Sequence, residues 1–247
     1  MLKQTFIHLP GINGNAERKF WSAGVKSWDD FTFRFGRRTG IEWEKLNTEL
    51  SAGQDALKLS DALYFAQRLP LQEHWRALSD FGKIAYVDIE TTGLDRRADK
   101  ITVIGLYDGK NVRSYVNGRN LRDFTEDIRG FDAIITFNGN RFDLPFILAK
   151  FPEIIFPPLR IDLCLLFRTL GIRGGLKKIE QDFSLVRDDS IRGMDGLAAV
   201  RLWREYERSG SEKALESLIE YNSADIVSLK ILQEKAYDKK RKGIMEV

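Results

Sequence analysis

Two acids stand two residues apart where the apolar run Ile84-Ala85-Tyr86-Val87 continues into Asp88-Ile89-Glu90. β-Branched and aromatic residues, closed by Thr91-Thr92-Gly93, predict a central strand over residues 83–90. Strand side chains alternate, so Asp88 and Glu90 share a face. Carboxylates inside an apolar strand are costly unless something positive offsets them. The competing reading is one acid bonded to backbone at a strand end, followed by an ordinary turn. Either way, a buried sheet has to be built around this segment.

The rest of the chain can supply that sheet. Beyond residue 83, strands are predicted at 101–107, 111–116, 132–137 and 159–163, with the turn Asp108-Gly109-Lys110 making 84–116 a meander. Helices are predicted at 121–129, 143–150, 164–169, 175–182, 195–208 and 212–236. This order implies an α/β fold, a mixed sheet covered by helices. Residues 1–80 read as mainly helical. The run 5–9 ends at Pro10-Gly11, and Asn15 is a candidate cap for a helix over 16–23. Ser27 and Asp30 form a capping-box pattern, and an imperfect helical stripe covers 57–69. The domains expected are an accessory region 1–80, a main domain 81–236 and a basic tail 237–247.

Composition narrows the chemistry. The chain has 247 residues, 43% of them hydrophobic and 16 of them Phe, which excludes generic disorder. A chain of this length buries roughly 70% of its unfolded surface and needs no metal or disulfide staple. The single cysteine, Cys164, rules out an internal disulfide and Cys-rich metal sites. His8 and His74 are far apart, which argues against a histidine centre. No stretch reaches the ~18 apolar residues of a spanning helix. The first residues do not read as a secretory signal, so a cytoplasmic location is expected. The net charge, 39 − 36 = +3, permits a nucleic-acid partner without requiring one. Basic residues include Arg96, Arg97, Lys100, Arg168, Arg173, Lys177, Lys178 and the run 239–242. They matter for phosphate only if they rim a cleft.

Further acids complete a set. Asp143, in Ile135-Thr136-Phe137-Asn138-Gly139-Asn140-Arg141-Phe142-Asp143-Leu144-Pro145, follows a strand and suits a helix start; a helix cap explains it equally well. Tyr221 and Asp225 lie one helical turn apart in Tyr221-Asn222-Ser223-Ala224-Asp225 and share a face; a packing pair is the alternative. Gathered in one pocket, three or four carboxylates repel one another and suit hard divalent cations. Two such ions roughly 3.5–4 Å apart can hold the attacking and leaving oxygens of a phosphodiester.

The order acid-x-acid, acid, Tyr-x-x-x-acid resembles the DEDD exonuclease superfamily in its tyrosine variety. The segments are YVDIETTGL, ITFNGNRFDLPFI and YNSADIVSLKIL. GLKKIEQDF at 175–183, DGLAAVRLWREY at 195–206 and the opening HLPGINGNAERKFWSAGVKSWDDF are similar to the YprB-like branch. The resemblance implies a ribonuclease H-like mixed five-stranded sheet flanked by helices. It implies that Asp88, Glu90, Asp143 and Asp225 hold two divalent cations, Mg²⁺ or Mn²⁺. Asp88 bridges both ions, Glu90 helps position the attacking water, and Tyr221 orients that water. Other members carry histidine where this chain has Glu220. Substrate contacts follow at Thr91, Gly93, Asn138, Asp162 and Lys177; for Asp162 a helix cap is the alternative, and for Lys177 a surface lysine. The implied activity is 3′→5′ exonucleolytic hydrolysis of DNA or RNA at a single-stranded 3′ end. No membrane partner is implied, and residues 1–80 are a candidate contact for a protein partner. The rivals are a structure-dependent endonuclease, a non-catalytic nucleic-acid-binding scaffold, and a proofreading unit that needs a polymerase partner.

Overall fold

The computed structural model describes residues 1–36, 39–189, 191 and 193–245. Glu246 and Val247, the end of the expected tail, lie outside the described residues. The chain divides into two compact units: residues 1–82 with 158–161 and 237–247, and residues 83–157 with 162–236.

In the first unit, α1 (Gly14–Ser22) is capped by Asn13, whose side chain accepts from the backbone of Asn15 and Ala16. The cap is therefore two residues earlier than expected. Asp30 accepts from the Ser27 backbone at 2.8 Å and hydroxyl at 2.9 Å, but the helix it starts is one 3₁₀ turn. After α2 (Phe33–Gly36) and α3 (Trp43–Lys58), the predicted helix 57–69 breaks. Ser60 takes a left-handed φ of 54°, and Asp61 caps α4 (Ala62–Arg68) by accepting from Tyr64 N. A good cap at Asp61 outweighs an imperfect stripe. Phe6, Phe20 and Phe31 pack mutually within 5.7 Å between centroids. Buried Arg76 pairs with Glu17 at 2.9 Å and Glu73 at 2.7 Å.

The second unit carries β1 (Ile84–Thr91), β2 (Ile101–Tyr107), β3 (Val112–Val116) and β4 (Ala133–Thr136). With β5 (Leu159–Asp162) the sheet order is β3-β2-β1-β4-β5. β1 runs antiparallel to β2 and parallel to β4, and β2 runs antiparallel to β3. The sheet is thus mixed, as the element order predicts. The expected helix 121–129 is α5 (Phe124–Asp127) between two 3₁₀ turns. It is followed by α6 (Asp143–Lys150), α7 (Leu163–Thr169), α8 (Leu176–Asp182), α9 (Gly196–Ser209) and α10 (Glu212–Met245). Ala85, Val87 and Ile89 join one apolar cluster with Phe124, Phe146 and Ile147. Val103 and Val116 join another with Trp203, Leu218 and Tyr221. Helix α10 continues well past the predicted end at 236. Among the described residues no helix is long and apolar enough to cross a membrane.

Candidate metal centre

Alternation along β1 sends Ala85, Val87 and Ile89 to one face and leaves Tyr86, Asp88 and Glu90 on the other. Helix α10 meets that second face. Tyr86 Oη donates to Gln233 Oε1 at 2.9 Å, and Asn222 Nδ2 donates to Asp88 Oδ2 at 2.9 Å. The helix approaches closely because its neighbour in the sheet is Gly105, paired with Asp88 across β1 and β2. A Cβ at Gly105 would collide with Asn222 Oδ1.

Asp88, Glu90 and Asp225 each offer a carboxylate oxygen within 4.8 Å of the others. Burial pushes Glu90 up to about 8, reinforced by the Asp225 charge and partly offset by hydrogen bonding from Asn222. Burial likewise raises Asp88 well above the usual range, with Asp143, Asp225 and Glu90 adding to it. Asp225 rises to about 6 through burial, held back by Arg187. Three converging acids with oxygen-only donors fit a divalent cation, whose charge would relieve this repulsion. Asp143, the first residue of α6, is not part of that triad. Its Oδ1 accepts from Ile89 N at 3.2 Å, and burial raises its pKa to about 7.

All five residues of the predicted catalytic set line one cavity of about 830 Å³, and Thr91, Gly93 and Asn138 line it too. The Thr91 hydroxyl donates to Gly93 O at 2.6 Å. The close approach that Gly93 permits is to the Asp99 carboxylate, which a Cβ there would strike. Asp162 and Lys177 are not among the lining residues. Asp162 accepts from Asn138 N at 2.9 Å, Asn140 N at 3.2 Å and Cys164 N at 3.0 Å, so it caps α7 and braces the 138–140 loop. Lys177 Nζ lies 5.0 Å from the Tyr221 ring centroid.

Two residues at the site escaped sequence reasoning. Arg187 forms an ion pair with Asp225, binds Glu180 through Nε at 2.8 Å and Nη2 at 2.9 Å, and lies 5.8 Å from the Tyr221 ring. Asn222 is fully buried. Its place between Tyr221 and Asp225 was the available signal; Arg187, in an irregular loop, offered none.

The sequence pattern of the RNase_H superfamily matches residues 85–237. No curated protein matches the chain. Among solved structures, the family B DNA polymerase from the hyperthermophilic archaeon Pyrobaculum calidifontis aligns with a TM-score of 0.51 and 15% identity. That alignment covers 62% of this chain and 24% of the polymerase chain, so this chain spans about a quarter of that length; the likeness is one of fold. Brucella melitensis NrnC bound to pGG aligns at a TM-score of 0.48 and 22% identity, over 66% of this chain and 76% of that one. Escherichia coli RNase D, an exoribonuclease involved in structured RNA processing, aligns at 0.40 and 21%, over 71% and 48% respectively.

Proposed function

Because the chain belongs to the RNase_H superfamily, we propose that it is a divalent-metal-dependent nuclease that hydrolyses DNA or RNA, acting as a 3′→5′ exonuclease on single-stranded ends. The observation that carries this reading is the convergence of Asp88, Glu90 and Asp225 in a cavity also lined by Asp143 and Tyr221. In this reading Asp88, Glu90, Asp143 and Asp225 hold two cations, Mg²⁺ or Mn²⁺. When bound, such ions lower the pKa of water and stabilise the charge of the leaving oxygen.

The chain's own residues do the positioning. Asn222 fixes the Asp88 carboxylate. Arg187 and Glu180 fix the orientation of Asp225. Burial raises the Tyr221 phenol, so it stays protonated at neutral pH and can donate a hydrogen bond to the attacking water. The similarity of 175–183 and 195–206 to the YprB-like branch belongs to the same reading, as do a catalytic domain at 81–236 and an accessory region at 1–80. A lone buried cysteine suits a reducing, cytoplasmic setting.

The test is digestion of end-labelled single- and double-stranded DNA and RNA in Mg²⁺ or Mn²⁺. A ladder from the 3′ end supports the reading; internal products from a circular substrate indicate endonuclease action. Asp88→Ala should abolish cleavage, and full activity in that variant would overturn the metal mechanism.

A further inference from the structure

A second cavity, of about 660 Å³, adjoins the carboxylate cavity: Phe137 and Asn138 line both. The chemistry of the two differs: the first gathers Asp88, Glu90, Asp143 and Asp225, with Arg201 and Arg204 also on its wall. The second is lined by Arg168, Arg173, Gly174 and Gly175.

Both arginines are exposed. Neither forms an ion pair among the described residues, although arginines such as Arg119, Arg122 and Arg187 do. Unpaired guanidiniums in a concave setting suit the oxygens of a phosphodiester. Gly175 has open space where a side chain would stand, so a ligand can approach that wall closely, whereas Gly174 makes room for Lys178.

The wall shared by the two cavities is held in place. Asn138 has a left-handed φ of 62°, and Asp162 fixes its backbone N–H. In the nuclease reading, a phosphodiester would meet the acids only through bound cations, from a backbone that enters the cavity; the occupant proposed for it is a single strand.

We infer that the Arg168–Arg173 cavity is a binding subsite for a single-stranded nucleic acid, holding phosphates on the 5′ side of the bond cleaved at Asp88, Glu90 and Asp225. The subsite rests on the nuclease reading and sharpens its substrate class. A strand of three or more nucleotides engages it, and an unphosphorylated dinucleotide, whose one phosphodiester lies at the carboxylates, does not. Contacts to phosphate carry no base information, so the preference is for length and not for sequence.

The test is fluorescence anisotropy of the full chain with labelled deoxy- and ribo-heptamers and matching dinucleotides. It is run in Ca²⁺ across a salt series, with gels to confirm intact substrate. In Arg168→Ala/Arg173→Ala, the slope of log affinity against log salt for the heptamer should fall by about 1.4, at about 0.7 per phosphate. Heptamer affinity should fall about tenfold near 0.15 M salt, while dinucleotide binding is unchanged. An unchanged heptamer slope, or an equal loss with the dinucleotide, overturns the subsite and leaves the nuclease reading standing. Failure of the unaltered protein to bind any oligonucleotide overturns both.

Discussion

Asn222 holds Asp88 twice, donating to its carboxylate at 2.9 Å and to its backbone carbonyl at 3.4 Å. The contact crosses from α10 to β1 above Gly105, which leaves room for it. Groups that orient a metal ligand are worth about 10–100-fold in metal affinity or activity. Asn222→Ala should lose metal affinity by that factor, measured by titration calorimetry with Mn²⁺. Gly105→Ala forces the helix or Asn222 to move and should cost about 1–3 kcal/mol of stability in denaturant melts. Unchanged Mn²⁺ affinity in Asn222→Ala would remove the positioning role.

Arg187 bridges two buried acids, Glu180 and Asp225. Removing one partner of a buried pair leaves charge without compensation, at a cost of about 3–5 kcal/mol. Arg187→Gln should be destabilised on that scale without metal. A divalent ion supplies charge beside Asp225, so Mg²⁺ should raise the variant's Tm more than that of the unaltered protein. An equal Mg²⁺ shift in both would mean that Arg187 and the ion do not act on a common acid.

The raised carboxyls set a pH dependence. Glu90 at about 8, Asp143 at about 7 and Asp225 at about 6 all lie above ordinary carboxyl values. Through these acids the native chain binds more protons than the unfolded chain between roughly pH 4 and 8, so their contribution to stability falls as pH rises, while buried His8 and His74, both lowered, act in the opposite sense below about pH 6.5. In EDTA the Tm should decline from about pH 6.5 toward pH 8, where the acids act unopposed. Protons and cation compete for the same oxygens, so Mg²⁺ should stabilise more at pH 8 than at pH 6. Thermal scans at fixed ionic strength check both; a Tm that rises across that interval in EDTA contradicts the buried-acid arrangement.

Tyr221 separates positioning from ligation. Its hydroxyl is not a metal donor in the proposed site, so Tyr221→Phe should keep Mn²⁺ affinity within about twofold while kcat drops about 10²-fold, the scale of a misplaced reactant. A parallel loss of Mn²⁺ affinity would make the residue part of the metal shell.

Much of the sheet was readable because its cues are local. An acid pair in an apolar strand is anomalous within eight residues, and so Asp88 and Glu90 stood out. Asp225 was readable through its helical spacing from Tyr221. What escaped depends on long-range approach. Asn222 carries only the local cue of standing between Tyr221 and Asp225, and its contact with Asp88 follows only once Gly105 is known to lie beneath it. Arg187 sits in a segment without periodicity, and only the path of the chain brings it to Asp225. Within 57–69, apolar spacing suggested one helix, but the cap at Asp61 and the left-handed Ser60 divide it. Gly93, expected to contact substrate, lines the cavity, and its missing side chain makes room for Asp99, six residues further along.

The bond between Asn222 and Asp88 spans 134 positions of the chain. During synthesis from the N-terminus, β1 emerges long before Asp225, and no earlier segment supplies the third acid of the triad. In the proposed site, cation binding would therefore await the docking of α10 on the sheet, and would serve as a timestamp of that step.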